Sequence, residues 1–492
     1  MPLLTLSIAI PTLAALACAL LPREASRAPR LIALGATAIP LGLLIATWFR
    51  FEAGEGLQLV EEAEWIPSIG VAWRLAVDGM SLSLSVMSVI LFAAAIYYGL
   101  GPRPLTRQAA SLMLLLEAAC LAFFLAQDFF LFYLAFEVNL VAMYFLIALW
   151  GEENRRYAAL KFFIYTLIGS LPVLLGIIGL FLASEPRTFD MIVIAEQQPL
   201  AGAGLGATLA FVAFFVGFAI KTPVVPVHTW LPIAHVEAPT AGSVILAGVL
   251  LKLGTYGLVR VNLQMLGDAF AAYALPVAIV GLVSVIYGAL VAMAQTDLKR
   301  MIAYTSINHM GYVVVGIAAA AAATSVETAR VALDGAILQM IAHGLVTGLL
   351  FFLAGFIATK AGTRDLRELA GLMRPMPIYG SVVALAFFAS LGLPGLAQFP
   401  AELQIFLGTF DVWPAIGALV VVGIVITAGL FLRALGAAWL GETPERWGGL
   451  ADIRGRELGV ALGLAILVVA VGVYPTLLLD LIGNTGIGGI LP

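Results

Sequence analysis

Long uncharged apolar runs recur along this chain from one end to the other, and no water-soluble fold can bury so many of them. Fourteen such segments begin near residues 3, 31, 76, 109, 129, 158, 207, 239, 270, 301, 331, 377, 414 and 458. Each has roughly 17 to 27 residues, enough for a helix to cross a hydrocarbon core ~30 Å thick. Of 492 residues 62% are hydrophobic and 11% charged, so the fold class is an all-α polytopic membrane protein. The first run, Leu3 to Leu21, lacks a small-x-small cleavage pattern after it and is expected to be a retained helix. Phe51 to Ala76, with its LQLVEEAEWIP string, is expected to be a short extended excursion on the water side.

Charge narrows the function. The net charge is −4 and the charged residues fall in the connections, which excludes a nucleic-acid surface and leaves the lipid bilayer as the surroundings. Cys18 and Cys120 each sit in an apolar run with no CxxC spacing, so neither a disulfide framework, a cluster nor a zinc site is expected. Lysine and arginine also predict orientation, because basic connections stay in the cytoplasm. Connections after odd-numbered segments hold eighteen of the 25, including Arg23, Arg103, Lys299, Arg364 and Arg433. Those after even-numbered segments hold Arg50, Arg74, Arg187, Arg260 and Arg330. Both termini are therefore expected outside.

The two remaining lysines carry the functional lead. Lys221 and Lys252 lie inside membrane segments, where an ammonium costs several kcal/mol unless it faces a polar interior. Pro223 and Pro226 follow Lys221 at once and break the seventh segment. Pro394, Pro400 and Glu402 mark a similar break in the twelfth. Each half thus has an ionisable group at a proline break, which predicts two inverted five-helix repeats. The division expected is 1–100 for three helices and a short outward hairpin, 101–265 and 266–440 for the repeats, and 441–492 for a last helix.

Other buried ionisable groups extend the row. Glu137 is far from either end of its segment, and its natural partner is Lys221, since burial lowers a lysine's proton affinity and a carboxylate raises it. Tyr256, one turn after Lys252, is placed to share its cavity. His309 and His343 lie inside segments ten and eleven, where Gln339, His343 and Thr347 form one polar stripe at i, i+4, i+8. A histidine on such a stripe passes protons near neutral pH or simply satisfies hydrogen bonds. For His228 and His235, beside the WLP turn, capping and loop packing are favoured over proton carriage. Glu117 and Asp78 are further candidates, Asp78 near a helix end, and Asp297 with Lys299 and Arg300 reads as a cytoplasmic turn. The four histidines do not converge in spacing, so no metal site is expected.

The strings KTPVVPVHTWLPIAHVEAPTAGSVILAGVLLKLGTYGLVR, DLKRMIAYTSINHMGY and SLGLPGLAQFPAE resemble the antiporter-like membrane subunits of bacterial proton-pumping NADH:quinone oxidoreductase, complex I, over nearly the whole chain. Glu402, where the L and N types would carry lysine, is similar to the M type. Two departures are Ile233, at the usual acidic position of WLPDAH, and Gln398, at a usual small one. The resemblance implies that Glu137 and Lys221 are a gating pair, Lys252 the central proton carrier, His309 and His343 links in a polar axis, and Glu402 its terminal site. It also implies the bacterial cytoplasmic membrane, L- and N-type neighbours, and FMN, iron-sulfur clusters and quinone in partner subunits. This chain has no nucleotide, flavin or cluster motif of its own. Alternatives are a subunit of a multi-subunit sodium/proton antiporter and a membrane subunit of a hydrogenase or ferredoxin-driven relative.

Overall fold

A backbone in hydrocarbon must meet its hydrogen bonds within its own segment, so apolar runs of this length become helices. The computed structural model describes residues 2–22, 27–54, 56–100 and 105–483; Arg23, Arg103 and the chain ends used above for orientation lie outside them. Twelve of its helices are long and apolar enough to cross a membrane. They are α1 (Leu3–Leu20), α2 (Ala28–Trp48), α3 (Gly79–Tyr98), α4 (Arg107–Leu125), α5 (Phe129–Trp150), α6 (Arg155–Ala183), α10 (Thr240–Leu263), α11 (Gly267–Met293), α12 (Leu298–Ala322), α13 (Val326–Ala361), α16 (Pro414–Trp439) and α17 (Arg456–Val473). Two expected segments are split instead: α8 (Leu205–Lys221) with α9 (Trp230–Glu237), and α14 (Pro377–Ser390) with α15 (Gln398–Val412). Short helices α7 (Met191–Gln197) and α18 (Thr476–Ile482) complete the set.

Burial sorts the helices. α10, α12 and α13 are enclosed almost throughout by other helices, whereas α2, α16 and α17 turn aliphatic faces outward. Ionisable groups on the enclosed helices therefore face protein rather than lipid.

The third segment begins close to where it was expected. Val71–Val77 is strand β2, antiparallel to β1 (Gln58–Ile66), and the helix starts only after Asp78. Asp78 ends the strand because its carboxylate accepts from Ser81 N (2.8 Å) while Ser81 Oγ accepts from Asp78 N (2.9 Å), a reciprocal helix cap. The excursion is only half wet: β1 is mostly exposed, but β2 packs inward beside Ala126. The hairpin also caps a neighbour, since Glu61 accepts from Leu4 N (2.9 Å) and Thr5 N (2.8 Å) at the start of α1.

Several basic residues assigned to connections lie within elements, and three of them lie away from the element ends nearest those connections or inside the fold. Arg260 is buried in α10, Arg74 stands in β2, and Arg433 is in α16, where it donates to Met293 O (3.1 Å). Pro400, expected in the twelfth-segment break, instead occupies the first turn of α15, where no backbone donor is lost. Gly392, at φ 76°, and Pro394 make the break.

Candidate functional site

α8 ends at Lys221 because Pro223 and Pro226 cannot continue its ladder, and the chain resumes as α9 at Trp230. The broken backbone is satisfied inside protein: Trp230 Nε1 donates to Ile220 O (2.9 Å), and Val225 N to Ser284 Oγ (2.9 Å). Lys221 makes no ion pair with Glu137. Its ammonium stands over the rings of Phe136 (5.0 Å) and Phe162 (5.8 Å), so the ring before Glu137 fills the space expected for the carboxylate. Glu137 stays within Coulombic range, half-buried, with one buried oxygen lacking a partner. Glu117, fully buried on α4, accepts from Thr37 Oγ1 (2.6 Å).

Lys252 has direct partners. α10 and α13 approach closely where glycine meets glycine: a Cβ on Gly344 would come within 2.9 Å of Gly248 O. One turn beyond Gly248, Lys252 Nζ reaches His343 Nδ1 (2.7 Å), and it donates back to Ala247 O (2.6 Å). That carbonyl lies in a π turn, Leu246–Leu250, a widening of the helix often found at functional sites. Lysine side chains lean towards the helix N-terminus, which takes Lys252 away from Tyr256. Tyr256 does not share its cavity; its hydroxyl donates to Phe124 O (2.8 Å) and accepts from Arg260 Nε (3.1 Å).

The row continues from His343. Its ring centroid is 5.6 Å from that of His309, whose Nε2 is 3.1 Å from Ser390 Oγ and whose Nδ1 is 3.5 Å from Glu402 Oε1. Gln339 Nε2 approaches the same carboxylate oxygen at 3.4 Å. The expected stripe is shorter than its spacing suggests, because Thr347 Oγ1 bonds the His343 carbonyl of its own helix (2.5 Å). Gln398, with its amide nitrogen turned towards them, donates to Ala389 O (2.8 Å) and Ser390 O (3.2 Å), tying the two halves of the broken helix. Ile233 packs against the core.

Gly392 controls this end of the row. Its left-handed backbone disfavours any side chain by roughly 1–2 kcal/mol, and a Cβ there would strike the Glu402 carboxylate. Gly392→Ala is expected to lower the unfolding midpoint of the assembled protein and to slow proton transport, measured by differential scanning fluorimetry and a vesicle pH-dye assay. A variant unchanged in both would show that the turn is dispensable.

Sequence reasoning missed one buried pair. Arg260 Nη2 meets Asp78 Oδ2 at 2.5 Å, and both side chains are 5% exposed. Asp78 was legible as lying near a helix end, but its partner lies 182 positions away.

At the lysine- and arginine-rich end, Glu152 is shared between Arg364 Nη1 (2.6 Å) and Lys299 Nζ (3.0 Å), and Arg364 Nε also binds Asp297 (2.5 Å). Asp297 caps α12 through Arg300 N (2.9 Å), the turn read from sequence. Partial burial works against the Glu152 charge, yet Arg364 and Lys299 outweigh it and hold the carboxyl below its ordinary value of 4.5. A carboxylate more acidic folded than unfolded stabilises the fold fully above that ordinary value and loses its contribution as pH falls through the lowered one. Acidification from about pH 6 to about pH 3 should therefore lower the thermal midpoint of the native protein more than that of Glu152→Gln. Parallel curves would show that the cluster contributes nothing.

The family described as NADH:quinone oxidoreductase/Mrp antiporter, TM, matches residues 126–427, well over half of the chain. The chain belongs to that family. Among its relatives, "NAD(P)H-quinone oxidoreductase chain 4 1" of Synechococcus elongatus is 39% identical over 97% of this chain and 89% of its own length. "F(420)H(2) dehydrogenase subunit M" of Methanosarcina mazei is 38% identical over 90% of this chain and 89% of its own. In solved structures, a chain of respiratory complex I from Thermus thermophilus superposes with a TM-score of 0.88 at 26% identity, covering all of both chains. A chain of the Mrp complex from a Dietzia species superposes at 0.87 over 99% of this chain and 97% of its own, but at 22% identity that shows the fold alone. As a member of this family the chain is a multi-pass, antiporter-like membrane subunit with NAD(P)H-quinone oxidoreductase chains as homologues.

Proposed function

We propose that this chain is the proton-translocating, M-type subunit of a quinone-reducing membrane complex, moving protons along Glu137, Lys221, Lys252, His343, His309 and Glu402. The observation that carries the reading is the 2.7 Å contact between Lys252 and His343, deep inside α10 and α13, with His309 on α12 and Glu402 on α15 next in line. A lysine ammonium at Lys252 donates to His343 Nδ1, and the imidazole releases a proton from Nε2, which has no partner of its own. His309 is the next group in line, its ring centre 5.6 Å from that of His343. Glu402 then accepts the proton at the second break.

Moving a proton against 100 mV takes ~2.3 kcal/mol. That energy would come from quinone reduction in partner subunits carrying FMN, iron-sulfur clusters and quinone, while this chain performs no redox step. L- and N-type subunits as neighbours, the bacterial inner membrane, termini on its outer side, and inversion between 101–265 and 266–440 belong to the same reading. Ionisable groups at both helix breaks, Lys221 and Glu402, support the repeat. The sodium/proton antiporter alternative rests on the fold resemblance alone.

Inverted membrane vesicles containing the complex test this. Glu402→Gln is expected to reduce the pH gradient formed per quinone reduced by about ten-fold or more. An unchanged ratio would remove Glu402 from the route, and sodium/proton exchange without quinone reductase activity would favour the antiporter.

A further inference from the structure

α10 carries a second cation that the row above does not use. Its first residue, Thr240, lines a cavity beside Glu152, Lys299 and Arg364, so Arg260 stands near the opposite end of the helix. Arg260 comes roughly 12 Å after Lys252 along the helix axis, at ~1.5 Å per residue. Tyr256 lies between them, and all three are buried. The turn that holds Arg260, Leu258–Leu263, is a π turn, a widened stretch of helix. Beside it Asn262 Oδ1 and Gln264 Nε2 are buried without a hydrogen-bond partner among the described residues. Polar groups at a buried helix end make this the weak point through which a proton on Lys252 could escape along α10.

The hydrogen bonds there all run away from the guanidinium. Arg260 donates from Nε to the Tyr256 hydroxyl (3.1 Å), from Nη1 to Gln264 Oε1 (3.1 Å) and from Nη2 to Asp78 Oδ2 (2.5 Å). Tyr256 gives its own hydroxyl proton to Phe124 O (2.8 Å), a backbone carbonyl of α4 at which the chain of bonds stops. Asp78 is engaged at both oxygens, since Oδ1 accepts from Ser81 N (2.8 Å) and Oδ2 from Arg260. A proton crosses a hydrogen-bonded chain where each member can accept one and release another. A guanidinium has five donors, no acceptor, and keeps its proton throughout the working pH range. An arginine in a narrow passage also repels an approaching proton.

We propose that Asp78, Arg260 and Tyr256 form a proton-tight plug at the outward end of α10, so that a proton on Lys252 leaves sideways to His343 and not along its own helix to the outside. The proposal rests on the proton-translocation reading above, which places this end of α10 outside. Arg260 is the barrier, because no proton can step onto it. Asp78 fixes the guanidinium and balances its charge, and Tyr256 closes the side nearer Lys252. All three are positioning residues that exchange no proton as the row works.

The test measures passive leak. The intact complex is reconstituted in phosphatidylcholine liposomes with an acidic interior and no quinone substrate, and a pH-sensitive dye follows collapse of the gradient per assembled complex. Asp78→Asn with Arg260→Gln removes both charges and keeps two side chains able to bond each other. This double variant is expected to collapse the gradient about ten-fold faster than the native complex, equivalent to ~1.4 kcal/mol off the barrier. Potassium flux is expected to stay at the native level, and adding Lys252→Ala is expected to return the proton leak towards the native rate. If the double variant lowers complex content, Asp78→Ala with Arg260→Ala carries the test and is expected to leak in the same way. A native leak rate in the assembled double variants overturns the plug. A rise in proton and potassium flux together assigns the pair a packing role and also overturns it, as does a proton leak that survives Lys252→Ala. Transport per quinone reduced by Lys252→Ala alone tests the underlying reading separately: a native ratio overturns translocation through Lys252, whatever the leak.

Discussion

Lys252→Ala is expected to cut proton transport per quinone reduced by about a hundred-fold, within the range lost when a positioned proton-transfer group is removed. The side chain is fully buried, and among the described residues its ammonium bonds Ala247 O and His343 Nδ1. Its removal leaves those two acceptors unmet, at a cost of about 1–3 kcal/mol each, but it also removes a buried charge, which offsets part of that. The complex should therefore assemble and still reduce quinone. Lys252→Arg separates charge from proton release, because a guanidinium keeps its proton. It should transport as poorly as the alanine variant. A pH-sensitive dye in vesicles, read beside quinone reductase activity, gives the ratio. Equal transport by Lys252→Arg and the native chain would mean that this residue serves only as a fixed charge.

The second large effect is on stability. Asp78→Ala leaves Arg260 charged in a site where its side chain is 5% exposed, and losing one partner of a buried pair costs about 3–5 kcal/mol. Asp78 also caps α3, and Arg260 also holds Tyr256 and Gln264, so the pair ties the hairpin end to α10. Arg260→Ala should be comparably damaging. The double variant Asp78→Ala with Arg260→Ala should be milder than the sum of the two, since no unpaired charge remains. Thermal unfolding of purified protein and its yield from membranes report the outcome. Single variants indistinguishable from the native protein would show that solvent or lipid headgroups reach the pair.

Much of the architecture was legible because its causes are local. Span length, the prolines after Lys221, and a lysine amid leucines are properties of short stretches, and each appeared where it was expected. The start of α3 was legible to within a turn, since VAWRLAV was read with the extended excursion and Asp78 near a helix end; the reciprocal cap to Ser81 fixes where strand gives way. Arg260 was assigned to a connection because nothing nearby in the chain neutralises it.

What the sequence by itself determined is therefore the membrane class, the broken helices and the identity of the buried ionisable groups, since transfer into hydrocarbon penalises each residue where it stands. Only the tertiary structure decided which of them meet. Lys252 finds His343 because Gly248 and Gly344 let two helices approach, whereas Lys221 misses Glu137 because a phenylalanine ring covers its ammonium. Partner choice depends on helix rotation and spacing, which π turns and small residues set across stretches far apart in the chain.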